Sequence, residues 1–369
     1  MQIQLAKSDK IGIVGTIPLR NIWLLMLYAS EFYRYEGTRC VGAENNPEKL
    51  PELIAELLAS AVESRLHRNL TFGYKFQEAQ LSRVRGRIDI LATERRQLLA
   101  KGKVACRFEN LSVDTLRNRF VLSALQLLIG LLKSPAIIRK CRSLVSSLKQ
   151  LGVSDNRPTR SEISTDKLGR NDYSDRLMLS AAKLAYDMAV PTETDGSNLL
   201  FIPNRDEVWI RKLYERAVGG VYSVKLSKTN WKVEISKPLR WKIEARTTAI
   251  DAILPSMRTD IVLVNHLEGR KLIIDTKFNS LLTQGWYRDE TIRSSYLYQM
   301  YAYLMSQNDN NNPLDKGAAG LLLHPTVNAN IDEIVVIQGH PIRFSTVDLT
   351  APSADFSNRL IQLIDFPKL

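Results

Sequence analysis

Long apolar runs are missing from this 369-residue sequence. Residues 22–29 are too few to span a bilayer, and residues 121–132 are interrupted by Ser123, Gln126 and Gly130. The opening MQIQLAKSDK sets charge too close to any apolar run for a signal peptide, so a cytoplasmic location and no membrane partner are expected. Cysteine is scarce as well. Cys40, Cys106 and Cys141 are far apart and odd in number, which excludes a zinc spacing and a disulfide framework. The four histidines, His67, His266, His324 and His340, are scattered without an HExxH pattern, which argues against histidine-based metal chemistry. A nucleotide-binding P-loop is absent too. Gly102-Lys103 lacks both the preceding glycine and the following Ser or Thr of GxxxxGK[ST].

What is present is positive charge and ordinary globular patterning. The net charge is +12, with 44% hydrophobic and 24% charged residues. Residues 1–199 hold 30 Lys/Arg against 21 Asp/Glu, and residues 200–369 hold 21 against 18, so the excess lies mainly in the first half. A basic chain without a membrane segment fits a polyanionic partner; a merely soluble basic surface fits equally well.

Apolar periodicity predicts helices over 19–33, 48–66, 112–132, 135–151 and 173–188, with Ser112 or Asp114 as N-cap of the third. Strands are predicted over 72–90, with a turn near Gly86, and over 104–108. Residues 152–172 read as an exposed basic loop. Turn residues at 191–196 mark a seam, which divides the chain into domains 1–195 and 196–369. Past it, helices are predicted over 205–224, 293–307 and 354–364, and strands over 232–235, 249–254, 259–264, 271–278, 318–323 and 333–337. The expected fold class is mixed α/β: a helix-rich N-terminal domain with short strands, then a mixed sheet flanked by helices.

One stretch carries chemistry. Asp260 begins an apolar strand, a turn follows at Glu268-Gly269-Arg270, and the next strand ends in Asp275-Thr-Lys277. Strand alternation puts Asp275 and Lys277 on one face, and a hairpin about 265–270 brings Asp260 close to pairing with Asp275. Two adjacent carboxylates are costly unless a cation binds them, and oxygen ligands of this kind suit Mg²⁺ or Mn²⁺. Such a centre activates water and neutralises charge on a phosphate, with Lys277 orienting the water or stabilising the transition state. The alternative is an Asp–Lys ion pair on a solvated hairpin end. The helix after it places Gln299 and Tyr303 at i and i+4 on one face, where they are candidates to bind the scissile strand.

Asp260, Asp275-x-Lys277 and Gln299-xxx-Tyr303 together resemble the PD-(D/E)xK nuclease superfamily in its form with a trailing QxxxY helix. More narrowly, the chain is similar to the McrC family, nuclease subunits of McrBC-type modification-dependent restriction systems. The similarity extends through Ile17-Pro-Leu-Arg20-Asn21-Ile22, Leu27-Tyr28-Ala29, Arg85-Gly86-Arg87-Ile88, Asp114-Thr115-Leu116-x-Asn118-Arg119, Leu254-Pro255-x-Met257-x-x-Asp260-Ile261 and Leu297-Tyr298-Gln299. The resemblance implies a Mg²⁺-dependent DNA endonuclease with catalytic positions at Asp260, Asp275 and Lys277, the two aspartates holding the metal. It places Glu215 where many superfamily members carry a further acid, although a surface residue fits there equally. Arg258 is a candidate phosphate contact on the same terms. It further implies an McrB-like AAA+ GTPase hexamer as partner, engaged and stimulated by residues 1–195, with GTP bound by that partner and not by this chain. Cutting both strands would bring a second copy of the chain to the DNA. A stand-alone RecB-like repair nuclease and a non-catalytic activator of a ring NTPase are the competing readings.

Overall fold

The computed structural model describes residues 17–37, 40, 46, 49–68, 70–165, 175–194, 199–200, 207–284, 289–307, 312–327 and 329–367. The chain forms two compact units, one of Met1–Leu50 with Val190–Leu369, the other of Pro51–Ala189.

Strand β1 (Ile17–Pro18) runs straight into the helix Leu19–Ala29. The single helix expected over 19–33 is broken at Ser30, whose hydroxyl accepts the Tyr33 N–H at 3.1 Å and starts a second helix, Glu31–Glu36.

The Pro51–Ala189 unit begins within the helix Leu50–Arg68 and contains a three-stranded antiparallel sheet. β2 (Gly73–Leu81) and β3 (Arg87–Ile88) flank β4 (Val104–Ser112), in the order β2-β4-β3. The turn at Gly86 is seen, with φ +68°. Arg83 and Arg85 lie on the connection before β3, where Arg85 stacks over the Phe108 ring at 4.3 Å. The helix Leu116–Ile129 is capped by Thr115, which accepts the Asn118 N–H, and not by Ser112 or Asp114. Asp114 is engaged elsewhere: it accepts the Ser154 N–H at 2.9 Å and pairs with Lys75 at 3.0 Å. The helix Pro135–Gln150 packs beside it through Cys141, Leu144 and Leu148. Within the expected 152–172 loop a short helix, Arg160–Thr165, forms; Lys167 and Arg170 lie outside the described residues. The helix Arg176–Thr194 passes through most of the expected seam, and residues 195–196 also lie outside the described set.

The other unit resumes with β5 (Leu199–Leu200), which pairs antiparallel with β1, and the helix Glu207–Lys225. β6 (Trp231–Ile235) enters the main sheet, and β7 (Pro238–Leu239) pairs with β8 (Met257–Arg258) at the foot of a seventeen-residue excursion that leads to Asp260. The strand expected over 249–254 is instead a 3-10 turn, Thr248–Ala252, in that exposed excursion. β9 (Ile261–Asn265), β10 (Arg270–Thr276), the small pair β11 (Leu282–Gln284) and β12 (Glu290–Ile292), and the helix Ser294–Gln307 follow. β13 (Ala319–Pro325), β14 (Asp332–Ile337), β15 (His340–Val347) and the helix Ser353–Gln362 close the chain.

The main sheet is mixed, in the order β14-β15-β13-β10-β9-β6. β10, β13 and β15 run parallel to their neighbours in that trio, and the remaining pairings are antiparallel. β9, and β10 from Leu272 onward, are buried at successive positions, and the Ile261–Val264 and Leu272–Ile274 runs are apolar because both sheet faces are covered. The helix Ser294–Gln307 contributes Met300, Tyr303 and Leu304 to a core shared with Val262, Ile273 and Leu322.

A boundary at 195 therefore needs correction: the segment 17–50 folds with the C-terminal half. β1 and β5 pair, and the helix Leu19–Ala29 packs on the helix Glu207–Lys225 so closely that a Cβ at Gly220 would strike the Tyr28 carbonyl. The Asn21 amide is buried and donates to the Leu349 carbonyl at 2.6 Å. None of the described helices is long and apolar enough to cross a membrane.

Candidate active site

β9 and β10 pair with Ile261 opposite Ile274, and one further step in that register sets Asp260 opposite Asp275. Asp260 is fixed where β9 begins. Its Oδ2 accepts the Thr276 N–H at 2.7 Å and the Thr276 hydroxyl at 2.8 Å. Asp275 is on β10, 1% exposed. Lys277, two residues on and on the same side, brings its Nζ to 2.8 Å from Asp275 Oδ2. Its backbone N–H still donates to Leu323 on β13, so the charged end of the strand is built into the ladder.

Burial raises the Asp275 carboxyl to about 6; Lys277 pulls it down, and Asp260 pushes it further up. For Lys277, burial opposes the charge, but the Asp275 carboxylate outweighs it and raises the ammonium above its usual value. Glu215, half-buried on the helix Glu207–Lys225, is raised by burial and then by Asp260, with Asp275 adding to the effect. The structure thus brings Glu215 within electrostatic reach of both aspartates. The resemblance singled it out, but no local pattern in the sequence relates that helix to the later strands.

Gln299 and Tyr303 do share a helix face, and they bond to each other: the Gln299 amide donates to the Tyr303 oxygen at 2.6 Å. The Tyr303 hydroxyl then donates to the Arg258 carbonyl at 2.9 Å. The pair ties the helix to the residues just before Asp260. Tyr303 still lies close enough that, after burial, the charges of Asp275 and Lys277 act on its phenol. The Arg258 guanidinium is exposed and donates to Ser236 Oγ at 3.2 Å.

A second tier was not anticipated. The Tyr296 ring faces Lys277 Nζ at 5.3 Å, and its oxygen accepts from the Asn279 amide at 2.5 Å. His324 on β13 meets the Asn279 carbonyl through Nδ1 at 3.0 Å. Burial lowers this imidazole to about 4, so it is neutral at physiological pH and must donate from Nδ1. The only sequence signal was a tyrosine one turn before Gln299 and a histidine at a strand end.

The oxygen-only donor set fits a hard divalent cation. Asp275 Oδ2 is buried and receives no hydrogen bond of good geometry, only the neighbouring ammonium, and both bonds to Asp260 fall on its Oδ2. Among the described residues no three His, Cys, Asp or Glu side chains close a complete cage. Mg²⁺ commonly binds through one or two carboxylates and keeps several waters, which suits such an open pair.

A family model described as McrBC 5-methylcytosine restriction system component matches residues 3–323. The chain is 26% identical over 351 residues to the type IV methyl-directed restriction enzyme EcoKMcrBC of Escherichia coli (strain K12), covering 95% of this chain and 97% of that protein. Among solved structures, it is similar to a chain in an assembly of Thermococcus gammatolerans McrB AAA+ hexamers with bound McrC, at 15% identity and TM-score 0.39, over 85% of this chain and 68% of the other. A second similarity, to the Thermococcus gammatolerans McrBC complex, has 16% identity and TM-score 0.35, over 57% and 60%.

Proposed function

The chain belongs to the family of McrBC 5-methylcytosine restriction system components, and from that premise we propose that it is the DNA-cleaving subunit of a GTP-dependent restriction complex. The observation that carries this reading is the buried Asp275, held beside Asp260 and Lys277 at the end of an apolar sheet. A protein interior holds a buried carboxylate, here with its pKa raised beside a second carboxylate, only at a cost, and such groups gather at functional sites.

In this reading Asp260 and Asp275 would hold Mg²⁺ or Mn²⁺, and Glu215 would add negative charge within electrostatic reach of both. When bound, the ion supplies a water of lowered pKa and neutralises charge on the phosphate. Lys277 stays protonated beside Asp275, so its ammonium can both orient the attacking water and stabilise negative charge that develops on phosphorus oxygens. Thr276 fixes the rotamer of Asp260 through two hydrogen bonds. Gln299 and Tyr303 hold the Arg258 carbonyl, and with it the backbone entry to Asp260; their part is positioning.

The partner in this reading is an McrB-like AAA+ GTPase hexamer, which binds GTP, reads the modified site and receives stimulation from this chain. The partner-engaging role expected for residues 1–195 narrows to the Pro51–Ala189 unit, since residues 17–50 are built into the unit that bears Asp275. Two copies of the chain meet on DNA for a double-strand cut, in the cytoplasm.

The test is linearisation of methylated plasmid by this chain together with its GTPase partner, Mg²⁺ and GTP. Asp275→Ala is expected to lower cleavage by roughly a thousandfold while GTP hydrolysis by the mixture persists. Cleavage by Asp275→Ala at the wild-type rate would remove the assigned site. Digestion by the isolated chain without nucleotide would favour a stand-alone nuclease, and stimulated GTP hydrolysis with no cleavage in any mixture would favour a non-catalytic activator.

A further inference from the structure

The excursion between β7 and β8 is an arm built beside the site, and nothing above gives it a task. It leaves the sheet after Leu239 and returns at Met257, three residues before Asp260. Nearly all of it is exposed, including large apolar side chains: Ile253 at 75%, Ile243 at 43%, Trp241 at 38% and Leu254 at 36%.

The arm is nonetheless braced. The Trp241 indole N–H donates to the Pro255 carbonyl at 2.7 Å, which closes the excursion across its base. Arg246 and Asp251 pair at 3.0 Å across its tip. The Gln307 amide, from the end of the helix that carries Gln299 and Tyr303, donates to the Arg240 carbonyl at 3.1 Å. A long polar loop would bury none of its apolar groups and need no such bracing. A braced arm that presents Ile253 and Leu254 to solvent is shaped to meet something.

Charge says what. Residues 237–258 contain Lys237, Arg240, Lys242, Arg246 and Arg258 against only Glu244 and Asp251. Basic residues beside exposed apolar side chains match a phosphate backbone around a groove, where aliphatic side chains press on sugars and base edges while cations meet the phosphates. The arm is also continuous in sequence with Arg258 and Asp260, so whatever it grips is presented to the strand end. We infer that residues 240–256 form a DNA-gripping arm that seats duplex DNA at the Asp260–Asp275–Lys277 site, with Ile253 and Leu254 in a groove and Arg240 and Lys242 on the backbone. This rests on the nuclease reading for its direction, but the contact itself is read without cleavage.

The test places a photo-crosslinking phenylalanine analogue at position 253 of the full chain. The chain is mixed with its GTPase partner and radiolabelled methylated duplex, with Mg²⁺ omitted so that the DNA stays intact. A control analogue sits at Leu267, which is 79% exposed on the turn at the opposite end of β9 and β10. Irradiation is expected to shift label onto this chain from position 253 and not from 267, with the yield falling several-fold between about 50 and 200 mM salt as phosphate contacts are screened. Crosslinks from 253 to the partner or to a second copy, with no DNA attached, would overturn the proposal, as would no crosslink while a gel shift shows the DNA bound. If Asp275→Ala cleaves normally yet position 253 labels DNA, the active-site assignment fails and the arm stands.

Discussion

Two ion pairs in this molecule have the same length and opposite physics. Arg107 meets Glu78 at 2.8 Å across β2 and β4, with side chains 57% and 72% exposed. Lys277 meets Asp275 at 2.8 Å at the end of β10, with side chains 18% and 1% exposed. In the first, water screens both charges and the pair is worth little. In the second, burial dominates, and the carboxylate rises to about 6 despite an ammonium in contact. Distance alone does not distinguish a surface decoration from a poised site; the surrounding medium does.

The comparison can be broken most forcefully at Asp275. Asp275→Asn keeps the shape and removes the charge, and it is expected to lower cleavage by roughly a thousandfold in the assembled complex. The same substitution should stabilise the fold at alkaline pH. The native carboxyl titrates near 6, above the ordinary value near 4, so its ionisation opposes folding: the stabilising contribution is full below about pH 4 and is lost as pH rises through 6. Chemical denaturation at pH 8 should show Asp275→Asn more stable than wild type by on the order of 2 kcal/mol, with the gap closing towards pH 4. An equal gap at both pH values would mean that burial does not set this carboxyl.

A smaller effect is expected at the buttress. Tyr303→Phe deletes one hydroxyl and leaves the Gln299 amide and the Arg258 carbonyl without their partner. Thermal unfolding should register a loss of about 1–2 kcal/mol, and the DNA concentration for half-maximal cleavage should move less than the rate. The least effect belongs to the exposed pair: Glu78→Gln should change stability by less than about 0.5 kcal/mol at any pH between 6 and 8. A change of several times that size would show that the surface pair is not screened as argued.

The hairpin that bears the site was legible because its signals are local. Two apolar runs flank Glu268-Gly269, and Gly269 adopts φ +63°, which a turn of this kind demands. Helix periodicity likewise located Ser294–Gln307 within a residue. Failures fall where the deciding partner is distant. Residues 249–254 carry strand-prone side chains, but no neighbouring strand is there to accept them. β15 escaped notice because Pro341 and Arg343 disguise it; Arg343 is buried because its guanidinium reaches both Asp332 oxygens, at 2.6 and 2.7 Å. The tier of Tyr296, Asn279 and His324 joins three separate segments, so no spacing could announce it.

The hydrogen bond from Asn21 to Leu349 spans 328 residues of chain. On a ribosome that adds about 5–20 residues per second, the helix Leu19–Ala29 emerges on the order of 15–65 s before its partner carbonyl exists. Until the helix Glu207–Lys225 has been made, Ile22, Leu24, Leu25 and Leu27, all buried in the finished fold, lack the element they chiefly pack on. The helix Leu19–Ala29 thus waits for partners made much later, and the nascent chain is vulnerable to aggregation, and in need of a chaperone, while it waits.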